Sequence, residues 1–420
     1  MARRNHYLIT LIFAIFFVIS LLTNIMGAII PEIIRSFSVS YMMAALLPFA
    51  FFLAYFLLSI PGGILVEMWS AKRVVILSFG LGLAGALLFG IVPQYGVLLP
   101  SLFLIGAGMA VIQVAINPLL RTAGGEENFA FNSVIGQLLF GAGGFMSPQI
   151  YKYVAEPGAS GKDALQTLLH SLVPENLPWV SVYWVFAASC VLMASIVLVS
   201  RFPKVELQED EKVGALSTHL ELLKKPMVWA YFVGIFCYVG SEQGTANWTS
   251  QFLANYHGID PQAGGADAVS YFWILMSVGC LLGLALLKVL DSRKVLMLFT
   301  AGALLSLTAG LLGPAQVAFW AFPMVGFFAS VMWSVIISLS LNSVKEHHGS
   351  LAGIMCTGIL GGALVPLIIG GISDQLGSLK AGMTFLYLTF GYVLAIGFWA
   401  KPLVNNVTIS SKKAVPEIVS

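Results

Sequence analysis

Run length decides what this chain can become. Between residues 7 and 402 it is a succession of apolar stretches, broken at charged, glycine or proline clusters. Twelve are legible: about 7–30, 41–67, 73–94, 98–120, 129–154, 178–200, 226–256, 268–290, 294–313, 317–343, 350–373 and 381–402. Most reach or exceed the ~20 residues with which a helix crosses ~30 Å of hydrocarbon. Barrel strands alternate in polarity over about ten residues, so runs of this kind exclude an outer-membrane barrel. Composition agrees: 58% of residues are hydrophobic and 10% charged, whereas about 25% charged is usual for a soluble domain. The lipid bilayer is therefore the chain's surroundings. Net charge is +2, which implies no nucleic-acid partner. The first run is too long for a cleaved leader and lacks a clean small-residue cleavage pattern. Cys190, Cys237, Cys280 and Cys356 all lie in apolar runs without short spacing, so neither disulfides nor a zinc site is expected.

Lys and Arg set the expected orientation, because cytoplasmic loops carry the excess. With the N-terminus inside, 17 of the 21 fall on the cytoplasmic side, and Arg35, Lys152, Lys162 and Lys380 fall outside. That asymmetry fits an even number of spans with both termini cytoplasmic, in a cell (inner) membrane. The longest hydrophilic inner stretch separates spans six and seven. The expected division is residues 1–200 as one six-helix bundle, 201–225 as a cytoplasmic linker, 226–402 as a second bundle and 403–420 as a cytoplasmic tail. Asn406 fits a glycosylation pattern but lies inside the cell on this topology. The fold class is all-α membrane protein, twelve transmembrane helices in two pseudo-symmetric bundles. Duplicated halves of this kind are typical of secondary transporters. A monomer is expected.

Polar groups in hydrocarbon cost free energy unless partnered, so they concentrate at cavities. Gln113, Asn117 and Arg121 recur at i, i+4, i+8 on span four, with Pro118 interrupting the helix ladder. Span five carries Asn132 and Gln137 among glycines. Span seven is the most polar: Gln243, Asn247 and Gln251 form one stripe, with Glu242 and Thr245 on the adjoining face. Of 19 acidic residues, Glu242 alone falls about midway along a span. A central acid costs about 2.5–3.5 kcal/mol on insertion scales. Binding a cation or a proton accounts for it; a permanently protonated structural hydrogen bond is the plainer alternative. Amides match paired hydroxyls, and an indole packs on the apolar face of a pyranose ring. Asn247 beside Trp248, with Trp333 in span ten, thus points to a sugar, against ordinary aromatic packing. The glycine-rich stretches precede no Gly-Lys-Ser/Thr and form no phosphate loop, so no cofactor is expected.

The loop from Gly63 through Glu67 to Lys72-Arg73 resembles the signature loop of the major facilitator superfamily, where acid and base latch the halves together. Asp291-Ser-Arg293 occupies the matching place in the second half. Glu67, Lys72, Arg73, Arg121, Asp291 and Arg293 are the candidate gating residues. Phe236-Cys-Tyr-Val-Gly240, Ala115-Ile-Asn117-Pro118, Ile337-Ser-Leu339, Gly361-Gly362-Ala-Leu-Val-Pro366 and Ser373-Asp374 follow in the order found in the fucose/glucose–galactose permease family. The resemblance spans the whole chain. It implies a cation-coupled sugar symporter working by alternating access, with hexoses as substrates and the acid at Glu242 typical of the glucose/galactose branch.

There are departures. Asn24 is kept in span one, but Gly27 stands where the family's Asp would be, and Gln113 replaces an acid of span four. Two carboxylates of proton-coupled members are therefore missing. Oxygen-bearing neighbours of Glu242, Thr245 among them, would suit sodium, a hard cation. Sodium symport is thus the preferred expectation, with proton coupling second and uniport open. The substrate-binding candidates are Asn24, Gln113, Asn117, Gln137, Gln243, Asn247, Trp248, Gln251 and Trp333. The alternatives are a proton-driven exporter of another solute or drug, which the amide stripe disfavours, and a membrane receptor or enzyme. No soluble signalling domain or clustered catalytic set supports the latter.

Overall fold

The computed structural model describes residues 5–125, 129–155, 163–203, 216–344 and 348–403. Most of the linker between the halves, the tail beyond 403 with Asn406, Lys162 and the Glu67 side chain lie outside the described residues.

Among the described residues twelve long helical segments stand where the spans were expected. In chain order they are α1 (His6–Phe37), α2 (Tyr41–Met68), α3 (Ala71–Ile91), α4 (Tyr95–Gly124), α5 (Phe129–Ala155) and α6 (Pro178–Val199). The second half holds α7 (Pro226–His257), α8 (Pro261–Leu287), α9 (Ser292–Leu312), α10 (Ala315–Leu341), α11 (Leu351–Leu376) and α12 (Leu379–Trp399). The spans read from the sequence agree with these to within a few residues, except that α1 and α8 begin or end up to seven residues further out. Ten are apolar and long enough to cross a membrane by length and composition. The other two are α5 and α7, the helices with the glycine and amide segments.

Local chemistry sets the helix ends. Ser40 caps α2 by accepting from the Met43 N–H, and Asp291 caps α9 by accepting from the Arg293 N–H. Gly258 and Gly377 close α7 and α11 with φ of +64° and +62°, a left-handed cap that glycine adopts without steric cost. Among the described residues four spans are interrupted: α1 at Asn24–Ile25, α10 at Ser330–Val331, α11 by a tight turn at Gly358–Leu360 and α12 at Thr384. Broken helices in a transporter fold free backbone groups beside a cavity.

Buried apolar side chains fall into two clusters, one drawn almost wholly from α1–α6 and the other from α7–α12. The halves meet where α1 packs on α7, α2 on α11 and α5 on α8. Small residues let these helices approach closely. A Cβ at Gly27 would overlap the Ala246 carbonyl oxygen, and one at Gly370 would lie 2.7 Å from the Tyr41 carbonyl oxygen. At the third crossing, a Cβ on Gly144 would lie 2.9 Å from the Trp273 Cβ. The first two pairs thus touch backbone to backbone, and the third sets the α5 backbone against the Trp273 side chain.

One end of the bundle carries Lys72, Arg73, Arg121, Lys288 and Arg293; it is the basic end, and the other is the far end. Polar contacts joining the halves cluster at the far end. Asp374 accepts from the N–H groups of Tyr41 and Met42, and Gln262 donates to Glu32. Gln149 and Lys152 both bond Asp267, and Asn255 bonds the Tyr41 hydroxyl. The halves are therefore closed together at the far end.

Candidate functional site

The centre of the site is α7. Glu242 is half-buried near the middle of this helix. One carboxylate oxygen accepts from the Tyr238 hydroxyl, and the other accepts from the Gln243 amide at 2.9 Å. Tyr238 sits one turn before Glu242, so the helix itself brings the phenol to the acid. The Trp333 ring of α10 lies 6.3 Å from the Tyr238 ring. Glu242, Gln243, Tyr238 and Trp333 thus form one group. Among the described residues, no cluster of three or more His, Cys, Asp or Glu is present.

Thr245 does not join this group. Its side chain is fully buried and its hydroxyl donates to the Ser241 carbonyl at 2.7 Å. The expected gathering of oxygens around Glu242 is thus replaced by two donors, one hydroxyl and one amide. A carboxylate with both oxygens held by donors suits proton exchange better than ligation of a hard cation.

The amide stripe divides. From Gln243 to Leu253, every residue of α7 is buried. The helices that cover it include α1 through Gly27, α2 through Tyr41, α8 through Gly265, α10 through Phe322, α11 through Pro366 and α12 through Leu386. Trp248 has no exposed surface; its N–H donates to the Pro366 carbonyl and Tyr41 meets its ring edge-on. Gln251 donates to Asn255, which reaches Tyr41. These two residues lie in the closed far-end seam, away from the group around Glu242. Asn247 is 2% exposed, and its amide nitrogen has no partner. A buried amide left unsatisfied costs about 1–3 kcal/mol, which marks a place where a ligand hydroxyl would be welcome.

Exposed polar groups lie instead in the basic half of the spans. Asn117 and Gln137 are exposed on α4 and α5, Gln113 is half-buried, and Ser334 and Ser338 are exposed on α10. Polar side chains at membrane depth belong on a wet cleft rather than on lipid. On that argument these side chains face a wet cleft on the side of the basic end. Asn24 is buried at the break of α1, donating to the Ser20 hydroxyl at 2.8 Å. It lies beside Gly144, against which Trp273 of α8 also packs. The Trp273 N–H is buried without a partner.

Among the gating candidates, Lys72, Asp291 and Arg293 bond within their own halves. Lys72 donates to the Leu198 and Ser200 carbonyls, Asp291 pairs with Arg293 at 3.1 Å, and Arg293 also reaches the Ala400 carbonyl. Arg73 is exposed and Arg121 is half-buried and partnered. Lys72, Asp291 and Arg293 thus make these bonds without crossing between the halves.

The Arg293 guanidinium holds the Asp291 carboxyl below its ordinary range. A lowered folded-state pKa means the pair stabilises at neutral pH and loses that contribution as pH falls through the carboxylate range. The pair is half-buried and reaches solvent, which screens it in part. Asp291→Asn should therefore cost up to about 1 kcal/mol in thermal unfolding at neutral pH, and that cost should shrink as pH falls through the carboxylate range.

Sequence reasoning missed Tyr238, although the motif around it and its i, i+4 spacing to Glu242 carried the signal. It also missed Trp273 and the far-end polar network, for which no local motif speaks.

The comparisons with known proteins place this geometry. The family model of the Major Facilitator Superfamily matches residues 11–366. The glucose/galactose transporter of Brucella abortus is 30% identical over 396 residues, covering 90% of each chain. The chain belongs to the major facilitator superfamily. Within it, the relatives are those of the fucose and glucose/galactose permeases. The L-fucose-proton symporter of Escherichia coli is 24% identical over 94% of this chain and 93% of its own length. A structure of FucP in the outward conformation matches with a TM-score of 0.65 at 23% identity, covering 94% of this chain and 98% of that one. A bacterial homologue of the lysosomal transporter Spinster, inward-facing and occupied, matches with a TM-score of 0.75 at 16% identity, covering 94% and 96%. The major facilitator assignment makes the chain a multi-pass membrane transporter and not an enzyme.

Proposed function

We propose that the chain takes up a hexose-type sugar by proton symport through alternating access. The observation that carries this reading is Glu242, a mid-span acid gripped by Tyr238 and Gln243 where the wet cleft ends. Its surroundings support a cycle of proton binding and release. Protonated, the carboxyl is neutral and tolerates burial as the halves rock; ionised, it needs the two donors or water. Sodium, the preference read from the sequence, is not carried forward. Thr245 turns its hydroxyl away, and two relatives are named proton symporters. The basic end faces the cytoplasm on the Lys and Arg asymmetry. The structure is then an inward-open state, in keeping with its higher TM-score against the inward-facing homologue than against outward FucP, despite lower identity.

Sugar recognition falls to polar and aromatic side chains of both halves. Gln113, Asn117 and Gln137 line the cleft from one half, while Gln243, Trp333 and Asn247 approach from the other. Asn117→Ala and Gln113→Ala should each weaken sugar affinity by about 0.5–1.5 kcal/mol, the net contribution of a hydrogen bond that water can replace. Binding titration with glucose, galactose and fucose checks this; unchanged affinity in both variants would remove these amides from the site. At the basic end, Lys72, Asp291 and Arg293 would exchange their bonds within each half for bonds between halves when the far end opens, joined there by Glu67, Arg73 and Arg121.

Uptake into proteoliposomes tests the whole reading. Sugar should accumulate under an imposed proton gradient without sodium. Accumulation that requires a sodium gradient would return the coupling ion to sodium. Absence of hexose uptake under either gradient would favour another cargo.

A further inference from the structure

We propose that Asp374 and Tyr41 form the latch that holds the far end closed and that its release sets the return to the outward-open state. The inference rests on the alternating-access reading above. Asp374 stands near the far end of α11, in the second half. Its Oδ1 accepts from the Tyr41 N–H at 2.9 Å and its Oδ2 from the Met42 N–H at 2.8 Å. Those are the first two N–H groups of α2, in the first half. A helix leaves its first N–H groups without internal partners and carries partial positive charge there. Ser40 satisfies the Met43 N–H. The other two are satisfied across the interface, by a carboxylate from the opposite half.

Tyr41 extends the latch inward. Its ring meets the buried Trp248 edge-on at 5.8 Å between centroids. Its hydroxyl accepts from Asn255 at 2.8 Å, and Asn255 accepts from Gln251 at 2.7 Å. One residue thus ties α2 to α11 through its backbone and to α7 through its side chain. Behind it, Gly370 lies against the Tyr41 backbone. The contact is therefore tight enough for the carboxylate to reach both N–H groups. Opening the far end must break all of these bonds together, which makes the contact two-state rather than graded. The same placement reassigns Trp248, Gln251 and Asn255. They form the floor on which Tyr41 seats, not a sugar subsite.

The test uses the full chain in nanodiscs with the native cysteines replaced by alanine. Spin labels at Ile91 and Leu312 report the far end, and labels at Met68 and Val289 report the basic end; all four sites are exposed. Wild-type protein should show two distance populations at each end, moving in opposite senses. Asp374→Asn should shift the far-end equilibrium toward open by roughly tenfold, the effect of one lost charge-assisted bond, and Asp374→Glu should restore part of it. Tyr41→Phe keeps the ring over Trp248 and removes the Asn255 bond, and should shift the equilibrium in the same direction by a smaller factor. It supplies the comparison if Asp374→Asn does not fold. Two populations that neither variant moves would overturn the latch. A single population at both ends in wild-type protein, with and without sugar, would instead overturn the alternating-access reading on which it rests.

Discussion

Glu242→Gln is expected to abolish concentrative sugar uptake while exchange of the sugar across the membrane persists. The amide has nearly the shape of the carboxyl and can still accept from Tyr238. It has no proton to exchange at any physiological pH. A carrier that moves its sugar without a driving ion only equilibrates it, so the accumulation ratio should fall to unity. Exchange, which returns the loaded carrier without unloading its proton, should continue. Stability should change little or rise, because a central acid costs about 2.5–3.5 kcal/mol in hydrocarbon and an amide less. Counterflow and gradient-driven uptake on one preparation separate these effects. Unchanged accumulation would make Glu242 a structural hydrogen bond within α7.

A side chain at position 27 is expected to be nearly as damaging, by another route. Gly27 brings α1 against α7 so closely that a Cβ would overlap the Ala246 carbonyl oxygen, with the Val269 Cγ1 at 3.3 Å. Overpacking of this kind costs about 1–3 kcal/mol. That cost falls on the state in which the far end is closed and not on the state in which it is open. Gly27→Ala should therefore shift the equilibrium toward far-end opening by roughly 5–150-fold. Gly27→Asp should shift it further, since its carboxylate would also face a carbonyl. The check is the rate at which an impermeant thiol reagent modifies a cysteine placed at Val269, which is fully buried in this state. A faster rate in Gly27→Ala is expected. An unchanged rate, with transport intact, would mean that α1 and α7 can part without disturbing the closure.

Position 27 also shows where sequence reading reaches its limit. Read in one dimension, Gly27 is a missing acid, a statement about coupling. In the structure it is a point of backbone contact, a statement about closure. The spans themselves were legible because run length and the bilayer thickness leave few choices, and the division into halves followed from the basic loops. Glu242 was legible because an acid so far from either end of a helix has few explanations. Trp248 was misleading. Its neighbour Asn247 suggested a sugar face, but periodicity along α7 cannot say which helix covers which side, and Tyr41 covers this one. Tyr238 was within reach, one turn from the acid it serves. The Asp374–Tyr41 contact was not, because it joins residues 333 apart in the chain that carry no shared pattern. A transporter closes its ends through such distant pairs, and each pair is formed in one state of the cycle and broken in the other.

Sugar-driven proton movement puts the account to its most direct trial. Lightly buffered proteoliposomes, free of sodium and without an imposed gradient, are given hexose from outside while external pH is followed. The wild-type protein should alkalinise the medium as sugar enters, and Glu242→Gln should take in sugar with no pH change. Sugar entry by the wild-type protein with no accompanying proton, or an undiminished pH change in the variant, would contradict the role given to Glu242.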